Sequence, residues 1–356
     1  VVMSANKNVL VIGGGLIGTS IALDLVATGR NVFLRDIDAT AQEVALTRSN
    51  ASALGDEMVD VVIVATPPSI VANVVRSAVS EFPHAVVTDV ASVKGSIASA
   101  LADLPELEKA RIVGGHPMAG REVSGAVGAQ AHLFQDRPWV LTRLPETSDS
   151  AIAAIREIAT DLGAVPIERS VAEHDRAVAL VSHTPQVIAS LLSGLLVDAA
   201  SSDVELAGQG LRDTIRIASS DANLWADILL GNAEAVGTNL SVLANELQAT
   251  ADALTAGNQT AIHEVLAQGS KGRARLPGKH GASAQETTVV VVRLEDKPGE
   301  LARLFTAAAE AQVNLEDVRI DHALGRMTGL VELTVATSSR DQLVSALQAT
   351  GFTVFA

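Results

Sequence analysis

The first 145 or so residues alternate short apolar runs with stretches of helix length. Runs at 9–12, 31–34, 59–65, 85–88, 111–113 and 138–142 are nearly continuous in Val, Ile and Leu. That is the composition of strands buried on both faces of a parallel sheet. Between them, 19–28, 68–80 and 94–101 have the spacing of helices. Repeated βα units of this kind predict an α/β domain, a doubly wound parallel sheet with right-handed crossovers.

Past about residue 165 the pattern changes. Residues 170–268 carry long Ala/Leu-rich helical patterns, at 177–193, 224–235 and 242–254, and no strand. An all-helical second domain is expected there. Its apolar content exceeds what one thin helical layer covers, so a homodimer built on these helices is expected as well. Residues 269–286 are basic, rich in Gly and Ser and without periodicity, the composition of a flexible linker. The tail then reads strand 288–293, helix 299–311, strand 314–322, strand 329–337, helix 339–349 and strand 352–355. That βαββαβ order is ferredoxin-like. The expected domains are therefore 1–168, 169–268 and 287–356, with the linker at 269–286.

Composition narrows the function. The chain has 356 residues, 48% hydrophobic and 19% charged, which is globular and not disordered. A net charge of −15 argues against nucleic acid as a partner. The absence of cysteine excludes disulfides, thiolate metal sites and cysteine nucleophiles, and fits a cytoplasmic protein. The longest apolar stretch, around 187–200, is interrupted by Ser190, Ser193, Gly194 and Asp198, and reads as a buried helix, not a membrane span. Val1 and Val2 precede the first methionine, and no charged segment leads an apolar one, so no secretory signal and no membrane partner are expected. No metal is expected either: His263-Glu264 lacks the second histidine of a zinc helix.

The first run leads into Gly13, Gly15 and Gly18 of a Gly-x-Gly-x-x-Gly pattern that opens a helix at Leu16 and Ile17. This is the Rossmann setting for a dinucleotide pyrophosphate, which sits on the free amides at the helix N-terminus. About 20 residues on, Asp36 is placed to accept from an adenosine 2′-hydroxyl and favours NAD; Arg35 beside it offers a guanidinium to a 2′-phosphate, leaving NADP as the alternative. Thr66 and Pro67 end another strand in a rigid polar turn that would lie along the cofactor. His116, flanked by glycines and a proline, suits a base that accepts a hydroxyl proton as hydride leaves the same carbon. Ser92 would hydrogen-bond that hydroxyl or orient the histidine. In the helical region, Arg212 and Arg216 stand four apart on one helix face, and with His183 suggest capture of a carboxylate.

Taken in order, these motifs resemble the prephenate/arogenate dehydrogenase family. The match runs through the glycine loop, Asp89-Val-Ala-Ser-Val-Lys-Gly95, Gly115-His-Pro-Met-Ala-Gly-Arg-Glu122, His174-Asp-Arg through Ser182-His-Thr-Pro, and Arg212-Asp-Thr-Ile-Arg-Ile-Ala. The tail, with Leu294-Glu-Asp-Lys-Pro-Gly-Glu-Leu301, is similar to ACT domains, which bind amino-acid effectors. The resemblance implies that His116 draws the proton from the ring 4-hydroxyl of prephenate while hydride passes to the nicotinamide. Loss of the ring carboxylate then gives 4-hydroxyphenylpyruvate. It further implies that Ser92 supports the hydroxyl, that Arg216 and His183 hold substrate carboxylate, and that Arg212 adds a second cation. Glu122 and Trp225 match positions that gate or line the family's pocket. Thr184 and Gln186 depart from the Leu and His often found there, which leaves prephenate and arogenate both open. Asp296, Gly299 and Asn314 are the candidate effector site, with tyrosine or another aromatic amino acid as ligand; a plain Pro-Gly turn is the other reading.

Two other classes fit these residues less well. A β-hydroxyacid dehydrogenase would supply a lysine base from its helical domain, and residues 170–268 contain no lysine. A non-catalytic nucleotide and amino-acid sensor would have no use for His116, Ser92 and Arg216 in these contexts.

Overall fold

The computed structural model describes residues 7–120, 125–276, 286–322 and 328–355. The chain divides into two compact units, Val1–Asn245 and Glu246–Ala356.

The first unit opens with β1 (Asn8–Ile12), α1 (Leu16–Ala27), β2 (Asn31–Arg35), α2 (Ala39–Ser49), β3 (Val61–Val64), α3 (Pro68–Glu81) and β4 (Val86–Asp89). It continues through α4 (Gly95–Ala100), α5 (Glu106–Lys109), β5 (Ile112–Pro117), β6 (Pro138–Arg143), α6 (Asp149–Asp161) and β7 (Val165–Glu168). The sheet order is β2-β1-β3-β4-β5-β6-β7. Strands β1 to β5 are parallel, as their unbroken apolar runs predict. β6 pairs antiparallel with β5, and β7, which sequence patterning did not separate from the following helices, pairs parallel with β6. Strand alternation divides the core between the two faces of the sheet: Val9 and Val11 pack with Ile21, Leu25 and Ile155 on one side, Leu10 and Ile12 with Val71 and Val75 on the other. The chain leaves β1 toward β2 on one side and returns as β3 on the other. The carboxyl ends of β1 and β3 therefore flank a topological switch point, where open sheets of this kind bind ligands.

Helices follow: α7 (Val171–Val178), a π turn (Ala179–His183), α8 (Thr184–Gly194), α9 (Ser201–Val204), α10 (Gln209–Ile215), a 3-10 turn (Arg216–Ser219), α11 (Ala222–Gly231) and α12 (Ala233–Thr255). Local signals set several starts. Ser170 and Glu173 form a capping box on α7, and Asp221 accepts from Leu224 N–H at the start of α11. The helix expected at 224–235 is two helices broken at Asn232. Arg212 and Arg216 do not share one helix either, because α10 ends at Ile215 and Arg216 opens the 3-10 turn. By length and composition 171–194 is apolar enough to cross a membrane. Its middle nevertheless turns buried His174, His183, Thr184 and Gln186 into the protein. The stretch near 187–200, expected to be buried, instead leaves Leu191, Leu195 and Val197 at 63%, 73% and 80% exposure.

In the second unit α13 (Gln259–Ala274) runs past Gly269, so 269–274 of the expected linker is helical; 277–285 lies outside the described residues. Beyond it come β8 (Thr287–Glu295), α14 (Glu300–Glu310), β9 (Asp317–His322), β10 (Thr328–Ala336), α15 (Arg340–Ala349) and β11 (Thr353–Phe355). The sheet is antiparallel, in the order β11-β8-β10-β9. Val290, Val292, Val331 and Leu333 meet Leu304 of α14 and Leu343 and Leu347 of α15. The βαββαβ order is as predicted, except that β9 begins at Asp317, which leaves Asn314 in the loop before it.

Candidate active site

The glycine loop after β1 has the shape its sequence requires. Gly13 has φ +114°, and a Cβ there would lie 2.4 Å from the Ala65 carbonyl oxygen. A Cβ on Gly18 would lie 2.0 Å from Gly13 O, so α1 crosses the loop at a distance only glycine permits. Over Gly15, the residue before α1, nothing lies within 4 Å of a built Cβ, so a ligand can approach the backbone. The amides of Leu16 and Ile17 begin the helix there. Asp36 closes the far side: its carboxylate accepts from Gly14 N–H at 2.6 Å and Asp38 N–H at 2.8 Å. Arg35 is drawn off by a two-pronged pair to Glu81, at 2.7 and 2.9 Å. Across the switch point, the buried Thr66 hydroxyl has no partner among the described residues, and Pro67 turns the chain into α3. A spare buried hydroxyl, a loop open over Gly15 and an acid on β2 fit a bound dinucleotide.

One strand further along, β5 delivers His116. Gly115 brings β5 close to β4, since a Cβ there would lie 2.4 Å from the Asp89 carbonyl. His116 is buried, and its Nδ1 lies 2.8 Å from Nε2 of His174 on α7. His174 Nδ1 in turn lies 2.7 Å from Oδ1 of Asp175. The Asp175 carboxylate also accepts Lys94 N–H at 3.0 Å and Gly95 N–H at 2.7 Å. Burial pushes Asp175 up, but the His174 bond and these two amides outweigh it and hold the carboxyl below its ordinary range. An ionised carboxylate only accepts, so His174 carries its proton on Nδ1 and accepts at Nε2 from His116 Nδ1–H. The lone pair of His116 is thereby directed to Nε2. Burial, then His174, Lys94 and His183 nearby, push His116 well below the ordinary histidine value, so it is a neutral base.

Lys94 lies beneath this chain, buried and paired with buried Asp89, which also accepts Ala91 N–H at 2.9 Å. Burial pushes the Lys94 ammonium down, with Asp89 opposing. The pair anchors the β4–α4 loop, on which half-buried Ser92 sits.

His183 reaches the same region from the π turn. It lies nine residues after His174, which a plain α-helix of about 3.6 residues per turn would place on the opposite face. The wider π turn re-phases the helix between them. Asn232 Nδ2 donates to Asp175 O at 2.8 Å and lies 3.2 Å from His183 Nδ1. The Trp225 ring meets His183 edge-on at 6.0 Å. Burial lowers His183 to about 4, with Asp175 opposing and His174 assisting. Gln186 Nε2 donates to Ile217 O at 3.0 Å, tying the turn that starts at Arg216 to α8.

The structure thus brings His116, His183 and Trp225 together, with Ser92 on the adjoining loop. Arg212 and Arg216 are exposed on α10 and the turn after it, and Glu122 lies outside the described residues. The sequence alone assigns no role to His174, Asp175, Lys94 or Asn232. Only the adjacent His174-Asp175 pair offered a signal, as an imidazole next to an acid. In the second unit, Gly299 has φ +92° and starts α14, Asp296 is exposed on the same turn, and Asn314 donates to Glu316 at 2.7 Å.

A dinucleotide cradle at the switch point, with a buried neutral histidine base nearby, defines a nucleotide-dependent oxidoreductase. Comparison with known proteins narrows this. Family models described as the prephenate dehydrogenase nucleotide-binding domain and dimerization domain match residues 21–168 and 170–268. A probable prephenate dehydrogenase, NovF of Streptomyces niveus, is 31% identical over 354 residues, 96% of this chain and 98% of that protein. The A. aeolicus prephenate dehydrogenase solved with hydroxyphenyl propionate and NAD+ superposes with TM-score 0.68 at 26% identity, covering 76% of this chain and 98% of the other. Synechocystis arogenate dehydrogenase gives TM-score 0.64 at 28% identity, over 75% and 99%. The chain belongs to the prephenate dehydrogenase family.

Proposed function

We propose that this protein oxidatively decarboxylates prephenate to 4-hydroxyphenylpyruvate in tyrosine biosynthesis, with NAD as its cofactor. The observation that carries the reading is the His116–His174–Asp175 chain, which aims a neutral base at Nε2 within a domain that has a dinucleotide cradle. Gly13, Gly15, Leu16, Ile17, Gly18, Asp36, Thr66 and Pro67 would hold NAD, which supplies the hydride acceptor when bound. Asp36 favours it over NADP, because Arg35 is committed to Glu81.

His116 Nε2 accepts the proton of the ring hydroxyl as hydride leaves the carbinol carbon. Its own Nδ1–H stays on His116, donated to His174 Nε2, and the charge that develops on the imidazole is stabilised through His174 by Asp175. Loss of the ring carboxylate as carbon dioxide sends an electron pair back to the ring oxygen, and His116 returns the proton there. The proton count therefore closes within the site. Ser92 orients the hydroxyl, His183 and Arg216 bind substrate carboxylate, Arg212 adds positive charge, and Trp225 lines the pocket; Glu122, outside the described residues, is assigned a gating or lining role by its motif alone.

The helical segment 169–268 serves a homodimer, consistent with exposed Leu191, Leu195, Val197 and Leu230. Residues 287–356 act as an ACT regulatory domain for an aromatic amino acid, tyrosine first, with Asp296, Gly299 and Asn314 as effector contacts. The ferredoxin-like order of its elements supports this. The protein works in the cytoplasm, where such a biosynthetic step meets its cofactor.

Arogenate is the second reading, supported by the likeness to an arogenate dehydrogenase; Thr184 and Gln186 leave both substrates open. The deciding experiment offers NAD and NADP with prephenate and then arogenate, with and without tyrosine, and follows nicotinamide reduction. Reduction with NAD and prephenate supports the proposal. Reduction with arogenate alone changes the substrate, and none with either removes the enzymatic reading.

A further inference from the structure

We infer that Asn232 is a positioning residue that holds His183 in its neutral Nε2–H tautomer, so that His183 meets substrate as a hydrogen-bond donor and not as a cation. Asn232 fills the break between α11 and α12 and is 6% exposed. Its backbone is fixed on both sides: its N–H donates to Leu229 O at 3.2 Å, and its carbonyl accepts Val236 N–H at 3.1 Å. The side-chain nitrogen lies 2.8 Å from the Asp175 carbonyl oxygen. A carbonyl can only accept, so the amide nitrogen and not its oxygen must face it; chemistry settles the orientation.

That same nitrogen lies 3.2 Å from His183 Nδ1. An amide nitrogen has two hydrogens and no lone pair to offer, so one hydrogen serves Asp175 O and the other points at His183 Nδ1. Nδ1 must then bear the lone pair, and the ring's single proton sits on Nε2. His183 Nε2 is buried and has no partner among the described residues. An imidazolium would set a second N–H against the Asn232 N–H.

The groups facing His183 agree. Asp175 and His174 of α7 act in opposite senses, His116 of β5 adds no negative charge, and the Trp225 ring on α11 is neutral. The consequence deepens the proposed function and rests on its placing of His183 beside substrate. The two groups assigned to substrate carboxylate are unlike: arginine supplies charge, while His183 supplies one oriented, uncharged donor. Such a donor can meet either a carboxylate or a keto oxygen, the carboxylate more strongly.

The test is 15N-edited NMR of the histidine side chains in the full-length protein. The His183 ring is identified by its loss in His183→Gln and by its proximity to the Trp225 ring. Expected is a proton on Nε2, a bare Nδ1, and no titration down to about pH 5. In Asn232→Asp the new carboxylate accepts, the proton moves to Nδ1, and His183 titrates at higher pH. KM then rises about tenfold above that pH and recovers below it, while kcat moves less. A wild-type His183 protonated on Nδ1, or charged near neutral pH, overturns the inference even if the variant does not fold. The expected tautomer without turnover of either candidate substrate would remove the proposed reaction and leave the role of Asn232 standing.

Discussion

In the proposed reaction His116 accepts a proton only while its Nε2 lone pair faces the substrate, and that depends on Asp175 two hydrogen bonds away. Two outcomes follow at this scale. His116→Asn should lower kcat on the order of a hundredfold or more, because the amide cannot take the proton. In the wild type the base is pushed well below the ordinary histidine value. A base must be neutral to act, so kcat/KM should stay level as pH falls through about 6.5 and decline only well below it. A half-loss near 6.5 would contradict this. Asp175→Asn keeps the size of the side chain but lets it donate to His174, which permits the opposite tautomer through both histidines. Turnover should drop at least about tenfold with KM little changed, read by steady-state kinetics with the far-ultraviolet spectrum as fold control. His116 stands out in the sequence as a candidate because glycines and a proline, not an apolar face, flank it. His174 was not, since its function depends on meeting a residue 58 positions earlier in the chain.

At the scale of elements, the turn between β1 and α1 is the most constrained. Gly18→Ala places a methyl at 2.0 Å from Gly13 O, against backbone that cannot swing aside. The substitution should lower stability by about 1–3 kcal/mol and weaken NAD binding by about tenfold or more, checked by thermal melting and by KM for NAD. Spacing alone disclosed this element, because Gly-x-Gly-x-x-Gly after an apolar run admits few other structures. The helix 171–194 behaved differently. Its periodicity marked a helix but not the π turn at Ala179–His183, since the residues there have no distinctive composition and the wider turn is favoured by what it packs against. The same holds for Asn232, which patterning carried through as mid-helix, and for the helical 269–274, where Gly and Ser outweighed helix signals that α13 nonetheless propagates.

For the whole molecule, the A. aeolicus enzyme matches this chain over 98% of its own length and only 76% of this one. A chain ending at Leu276 should therefore keep dehydrogenase turnover within a few-fold and lose any response to tyrosine, measured by nicotinamide reduction across a tyrosine titration. Loss of turnover on truncation would assign the second sheet a role in the chemistry. The sequence by itself determined the order of domains, the parallel run of β1 to β5, the nucleotide loop and the strand end that carries His116, because each is written in local periodicity or in a motif whose backbone only certain residues can adopt. The tertiary structure alone decided the reversal of β6 and β7, the Lys94–Asp89 pair beneath the loop, the His116–His174–Asp175 chain and the hold of Asn232 on His183. Those features arise where segments far apart in sequence are buried against one another. There a polar atom removed from water must take whichever partner the packing brings, and no local pattern records that choice.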